Sequence, residues 1–189
     1  MRLGIKKAIK PLAFITIALL VICLLIMLRL GCYEMYIKPF TFTVVESKRA
    51  YLINGIESYQ SVEEFKTFLV NNSLIWGEDH YSEPGLNGSH DCIMFSITIK
   101  NYSYLGFHGE LDVDFFNDRL MSTTFRTNDS DNFIETFKKA MNIKFNEYNE
   151  AELPPYVSFR IMGDDNKKDI TWYDTRLSKE KMIWLLRNS

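Results

Sequence analysis

Residues Glu110 to Thr127 read ELDVDFFNDRLMSTTFRT, two runs of strand character joined by Asn117-Asp118-Arg119. In the first run Leu111, Val113 and Phe115 alternate with Glu110, Asp112 and Asp114. That period of two belongs to a strand with one face on a core and the other in water. The second run, Leu120 to Thr127, mixes apolar and β-branched residues suited to a pleated surface. Asn and Asp tolerate the left-handed backbone of a tight turn, so the two runs read as an antiparallel hairpin.

The same alternation precedes this hairpin. In Cys92 to Lys100, Ile93, Phe95, Ile97 and Ile99 share one face, with Met94, Ser96 and Thr98 on the other. Asn101 to Gly106 then reads as a turn, and the polar stretch from Glu78 to Asp91 as a long loop. Further on, Pro154-Pro155 ends a loop, and Tyr156–Met162 with Ile170–Tyr173 form a second hairpin around Gly163-Asp164-Asp165-Asn166. Phe40 to Val45 is a candidate first strand.

Three segments have helical spacing instead. Ser61-Val62-Glu63-Glu64 is a capping box, followed by Phe65, Phe68 and Leu69 on one face and a stop at Asn71-Asn72. Asp129 or Ser130 opens a second helix with a stripe of Phe133, Phe137, Met141 and Phe145. Ser178 opens the last, with Met182, Ile183, Leu185 and Leu186 inward and Trp184 near the edge. The fold class is therefore α+β, one antiparallel sheet with about three helices packed on one face.

Ahead of this domain stands an uncharged apolar run, LAFITIALLVICLLIML, from Leu12 through Leu20 to Leu28, with Arg29 just beyond. At ~1.5 Å per residue it nearly spans a ~30 Å hydrocarbon core, and Leu30 with the stem of Arg29 completes the length. Arg2, Lys6, Lys7 and Lys10 precede it without any acid, which places the N-terminus in the cytoplasm. A cleaved signal peptide fits less well, because the apolar core is long and no A-x-A site follows. Leu30-Gly31-Cys32 has the end of a lipobox, but Arg29 stands where an aliphatic residue is needed. The organisation is a cytoplasmic basic tail (1–11), a transmembrane anchor (12–30), a juxtamembrane segment with the first strand (31–60) and an extracytoplasmic α+β domain (61–189).

Charge is unevenly divided. All 24 acidic residues follow the apolar run, whereas four of the 22 basic ones precede it, so the exported part is acidic behind a whole-chain net charge of −2. Acidity argues against nucleic acid and against an anionic bilayer surface, and suits a basic protein partner. Cys32 and Cys92 both fall on the exported side, where a disulfide is chemically permitted.

Two clusters carry candidate chemistry. His80, His90, Cys92 and His108, with Glu78, Asp79, Asp91 and Glu110 nearby, are the ingredients of a metal site or a Cys–His pair. No C-x-x-C or H-E-x-x-H spacing fixes their geometry locally, and no cofactor is implied. Glu110, Asp112 and Asp114 form an acidic stripe on one strand face, which either meets a partner or is a solvated face inviting a counter-charge. Tyr102, Tyr104 and Phe107 form an aromatic turn beside it, a composition favoured in protein interfaces. The sequence thus describes a single-pass membrane protein with an extracytoplasmic protein-binding module, either an accessory subunit of an envelope complex or an inhibitor or immunity-type protein. An envelope enzyme using the His80–His108 region is the alternative.

Overall fold

The computed structural model describes residues 49–85, 91–164 and 167–188, together with Leu19, Val21 and Ile22, which are helical. Leu12, Leu20, Leu28, Arg29, Cys32, His90 and the strand expected at Phe40–Val45 lie outside the described residues. Among the described residues no helix is long and apolar enough to cross a membrane.

The domain runs α1 (Val62–Asn71), β1 (Trp76–Glu83), β2 (Cys92–Tyr104), β3 (Phe107–Phe116), β4 (Leu120–Arg126), α2 (Ser130–Met141), β5 (Glu150–Leu153), β6 (Val157–Asp164), β7 (Lys167–Asp174) and α3 (Thr175–Asn188). Its α+β architecture is a seven-stranded antiparallel sheet with three helices, in the order β1-β2-β3-β4-β7-β6-β5. Two meanders start at opposite edges and meet at β4 and β7, and α2 carries the chain from one to the other.

Register explains the core. Ile97, Val113, Thr123, Trp172 and Phe159 are successive cross-strand partners, and Ile99, Leu111, Phe125, Ile170 and Ile161 form the next row. Phe65 and Leu69 of α1 and Phe133 and Phe137 of α2 close over these rows. The aromatic contacts are edge-on, Phe125 to Phe133 at 4.9 Å and Phe137 to Trp172 at 5.2 Å between ring centroids, the arrangement that ring quadrupoles favour. Residues 49–60 join the same core through Ala50, Leu52, Ile53 and Ile56, turning at Asn54-Gly55, where both φ values are positive.

The expected capping box is present. Ser61 Oγ accepts from the Glu64 N–H at 3.1 Å, and Glu64 Oε2 accepts from the Ser61 N–H at 2.9 Å. The hairpin at Asn117-Asp118 is also as expected, with φ of 48° and 58°.

The fold departs from the sequence expectations at five places. The loop expected from Glu78 begins as β1, an edge strand with water on both sides for most of its length, which removes the alternation that marks other strands. β2 continues through Tyr104 by a bulge in which Lys100 and Asn101 stand opposite Glu110, so the turn is only Leu105-Gly106. The short edge strand β5 lacked a signal because EAEL alternates over only four residues and has no β-branched or aromatic side chain. α3 starts at Thr175 and is rotated: Leu177 and Trp184 are buried, while Met182, Leu185 and Leu186 are exposed. Finally, the helices do not share one face. α1 and α2 cover the core face, whereas α3 borders a groove lined by Ser122, Thr171, Tyr173 and Arg160, whose register places them on the opposite face.

Candidate functional site

The opposite, outer face of β2, β3, β4 and β7 carries the acidic stripe, and the fold gives it partners. Glu110, Asp112 and Asp114 have the parity of Ser96, Thr98, Ser122, Thr124 and Thr171, all away from the core. Asp112 accepts from Thr98 Oγ1 at 2.7 Å and from the Arg126 guanidinium, whose Nε donates to Asp169 Oδ2 at 2.8 Å. Asp114 accepts from Ser96 Oγ at 2.8 Å and Ser122 Oγ at 3.1 Å. The hydroxyls of Thr124 and Thr171 meet at 2.9 Å. Burial works against the charge of Arg126, and its hydrogen bonds to Asp169 and Asp112 outweigh that, raising its pKa.

The counter-charge invited by three alternating carboxylates is therefore Arg126, a residue the sequence reading did not single out. Its signal was there: hydroxyl residues at alternate positions of neighbouring strands mark the face on which Arg126 also falls. Glu110 ends the row, exposed beside a polar cleft of about 500 Å³ lined by Lys100, His108, Arg126 and Asn128. Gly109 fixes this corner. A Cβ there would stand 1.9 Å from the Arg126 carbonyl oxygen, so only glycine lets β3 approach β4 so closely.

The aromatic residues beside the stripe are placed otherwise than a contact turn requires. Tyr102 is buried, and Tyr104 packs its ring edge-on against Phe125, Phe133 and Trp172. Phe107 packs on Phe133 at 5.4 Å. All three are strand residues turned to the core, and burial raises the pKa of both tyrosines. They face the core because β2, instead of turning at Asn101, continues through the bulge at Lys100-Asn101, which shifts the strand phase.

The described His/Cys residues, His80, Cys92 and His108, stand apart. His80 is exposed on β1, with its ring 6.3 Å from that of Phe95. Cys92 opens β2, almost wholly buried, and burial pushes its thiol pKa up. His108 lies on β3, exposed, its Nδ1 2.8 Å from Ser103 Oγ. Cys92 pairs with Glu83 and His80 with Phe95, three residues along, so about 10 Å of strand separates them. His108 is opposite Ser103, nearer the other end of β2. Among the described residues no group of three or more His, Cys, Asp or Glu side chains could hold a metal ion.

A further polar cluster went unnoticed in the sequence. Asp174, fully buried, accepts from Ser58 Oγ at 2.7 Å and from Arg176 Nη2 at 2.6 Å. The Arg176 guanidinium lies 3.8 Å from the Tyr156 ring centroid and 5.0 Å from that of Tyr59. The Ala50 N–H donates to Ser58 Oγ at 2.9 Å. This cluster ties the chain entering the domain to the start of α3.

No family model matches this chain, and no curated protein matches it either.

Proposed function

We propose that this chain is a single-pass membrane protein, with its N-terminus in the cytoplasm, that holds an acidic α+β domain outside the cytoplasm to bind another protein. The run from Leu12 to Leu28 and its basic flank support the tether. The observation that carries the binding reading is the outer sheet face, where Arg126 links Asp112 and Asp169, Ser96 and Ser122 hold Asp114, and Glu110 stands exposed at the end of the row. Charges already held in place lose little freedom on association, and their pattern selects a complementary partner. Such a face suits an accessory subunit of an envelope complex or an inhibitor or immunity-type protein. The separation of His80, Cys92 and His108 gives the enzyme alternative no support among the described residues.

The test is affinity capture of the tagged full-length protein from membranes in mild detergent, followed by mass spectrometry. One stoichiometric protein is expected. Its recovery should fall by roughly tenfold in a Glu110→Lys, Asp114→Asn variant, the scale of a few charge contacts at an interface. The thermal midpoint should hold, because the asparagine oxygen accepts from one serine hydroxyl while its amide N–H donates to the other, whose hydroxyl can turn to accept. Undiminished recovery, or no stoichiometric protein, contradicts the assignment.

A further inference from the structure

α3 has two apolar sides. At about 100° per residue, Leu177 and Trp184 fall on one side and are buried, while Met182, Leu185 and Leu186 fall on the other at 57%, 41% and 39% exposure. Met162, 45% exposed, stands across a groove of about 470 Å³ from Met182. Solvent-exposed helix faces are ordinarily polar, so a contiguous Met/Leu strip calls for a covering.

Charge identifies what covers it. From Arg49 to Asp174 the sequence holds 21 acidic and 11 basic residues, whereas Thr175 to Asn188 holds four basic and one acidic. That one acid, Glu180, is paired inward with Arg119 at 2.7 Å. Arg176 of those four pairs with Asp174, and with Lys179, Lys181 and Arg187 the helix still carries a net positive charge, opposite in sign to the rest of the domain, beside the bare apolar strip. The chain also enters the domain at the root of α3, through the Ala50–Ser58–Asp174 hydrogen bonds.

We propose that α3 is a membrane-surface helix, with Met182, Leu185 and Leu186 seated among the headgroups of an anionic bilayer and Lys179 and Lys181 facing its charge. The inference rests on the tether reading. A Leu/Met face flanked by lysine is the pattern of helices that lie in the interface plane. Lysine suits such a flank, because its aliphatic stem can extend an apolar face while its ammonium group reaches the headgroups. The net acidity of the domain does not oppose this contact, because electrostatic attraction decays within about 10 Å and the nearest charges dominate.

The experiment places a photo-crosslinking phenylalanine analogue at Leu185 of the full-length chain, an exposed position where substitution spares the fold. The chain is reconstituted into phosphatidylcholine vesicles with or without phosphatidylglycerol, with a second probe at Tyr148, which is 71% exposed. Lipid adducts are expected at 185 and not at 148, and more with phosphatidylglycerol. Lys179→Glu with Lys181→Glu should lower the 185 adduct by roughly tenfold or more, since each basic residue near an anionic surface contributes about a fivefold factor. Absence of lipid adducts at 185, or a protein adduct there in native membranes, overturns the proposal. Alkaline carbonate washing of the same vesicles separates the two readings. A chain that stays bound without a 185 adduct refutes only the helix contact, whereas one that washes off refutes the tether.

Discussion

Asp174 shows how much rests on single side chains whose role is tertiary. In the sequence it is one acid in WYDTRL; in the fold it is fully buried and accepts from Ser58 across a separation of 116 residues and from Arg176. Removing one partner of a buried ion pair costs about 3–5 kcal/mol, because the other charge is left without compensation. Asp174→Ala should therefore lower the unfolding free energy by about 3 kcal/mol or more, measured by urea denaturation followed through tryptophan fluorescence. A loss under about 1 kcal/mol would show that water replaces the carboxylate at little cost. Gly109 is legible only in the same retrospective way, since no local pattern announces that a neighbouring carbonyl occupies the place of its side chain.

At the scale of elements, legibility followed the strength of local rules. The capping box at Ser61–Glu64 and the alternation in Leu111–Phe115 are set by residues next to one another in sequence, and both elements form as read. β1 escaped because an edge strand with two wet faces needs no alternation, and β5 because four residues are too few to show one. α3 escaped for a different reason: its strongest apolar spacing, Met182 to Leu186, is not the face the fold buries. Tertiary context selected Leu177 and Trp184 instead, and this conflict between local pattern and global fold is what the proposed membrane contact would explain. Trp184→Ala should cost about 3–5 kcal/mol through the cavity it leaves. Met182→Ser should change stability by less than about 0.5 kcal/mol. Thermal or urea unfolding of both variants checks this, and the reverse order would restore the inward face that the sequence implied.

For the whole molecule, local patterning read the class of fold correctly, whereas composition read its surfaces poorly. The α+β antiparallel sheet follows from hairpins and helical stripes, each short-range. Which helix takes which face, and where charge collects, depends on contacts between distant segments. The net acidity that seemed to exclude an anionic bilayer is an average over an acidic body and a basic C-terminal helix. The candidate site was half visible: the stripe of Glu110, Asp112 and Asp114 stood in the sequence, but its neutralisation by Arg126, Ser96 and Ser122 required the register of four strands. The tether, by contrast, rests on sequence alone, and the binding reading depends on the domain being displayed outside the cytoplasm.

The most direct measurement is protease shaving of intact spheroplasts carrying the chain with an N-terminal tag, combined with carbonate extraction. The account predicts that the chain resists carbonate, that external protease removes the domain, and that a short tagged fragment holding the Leu12–Leu28 run survives in the membrane. A domain that stays intact until the cells are lysed, or a chain released by carbonate, would contradict it.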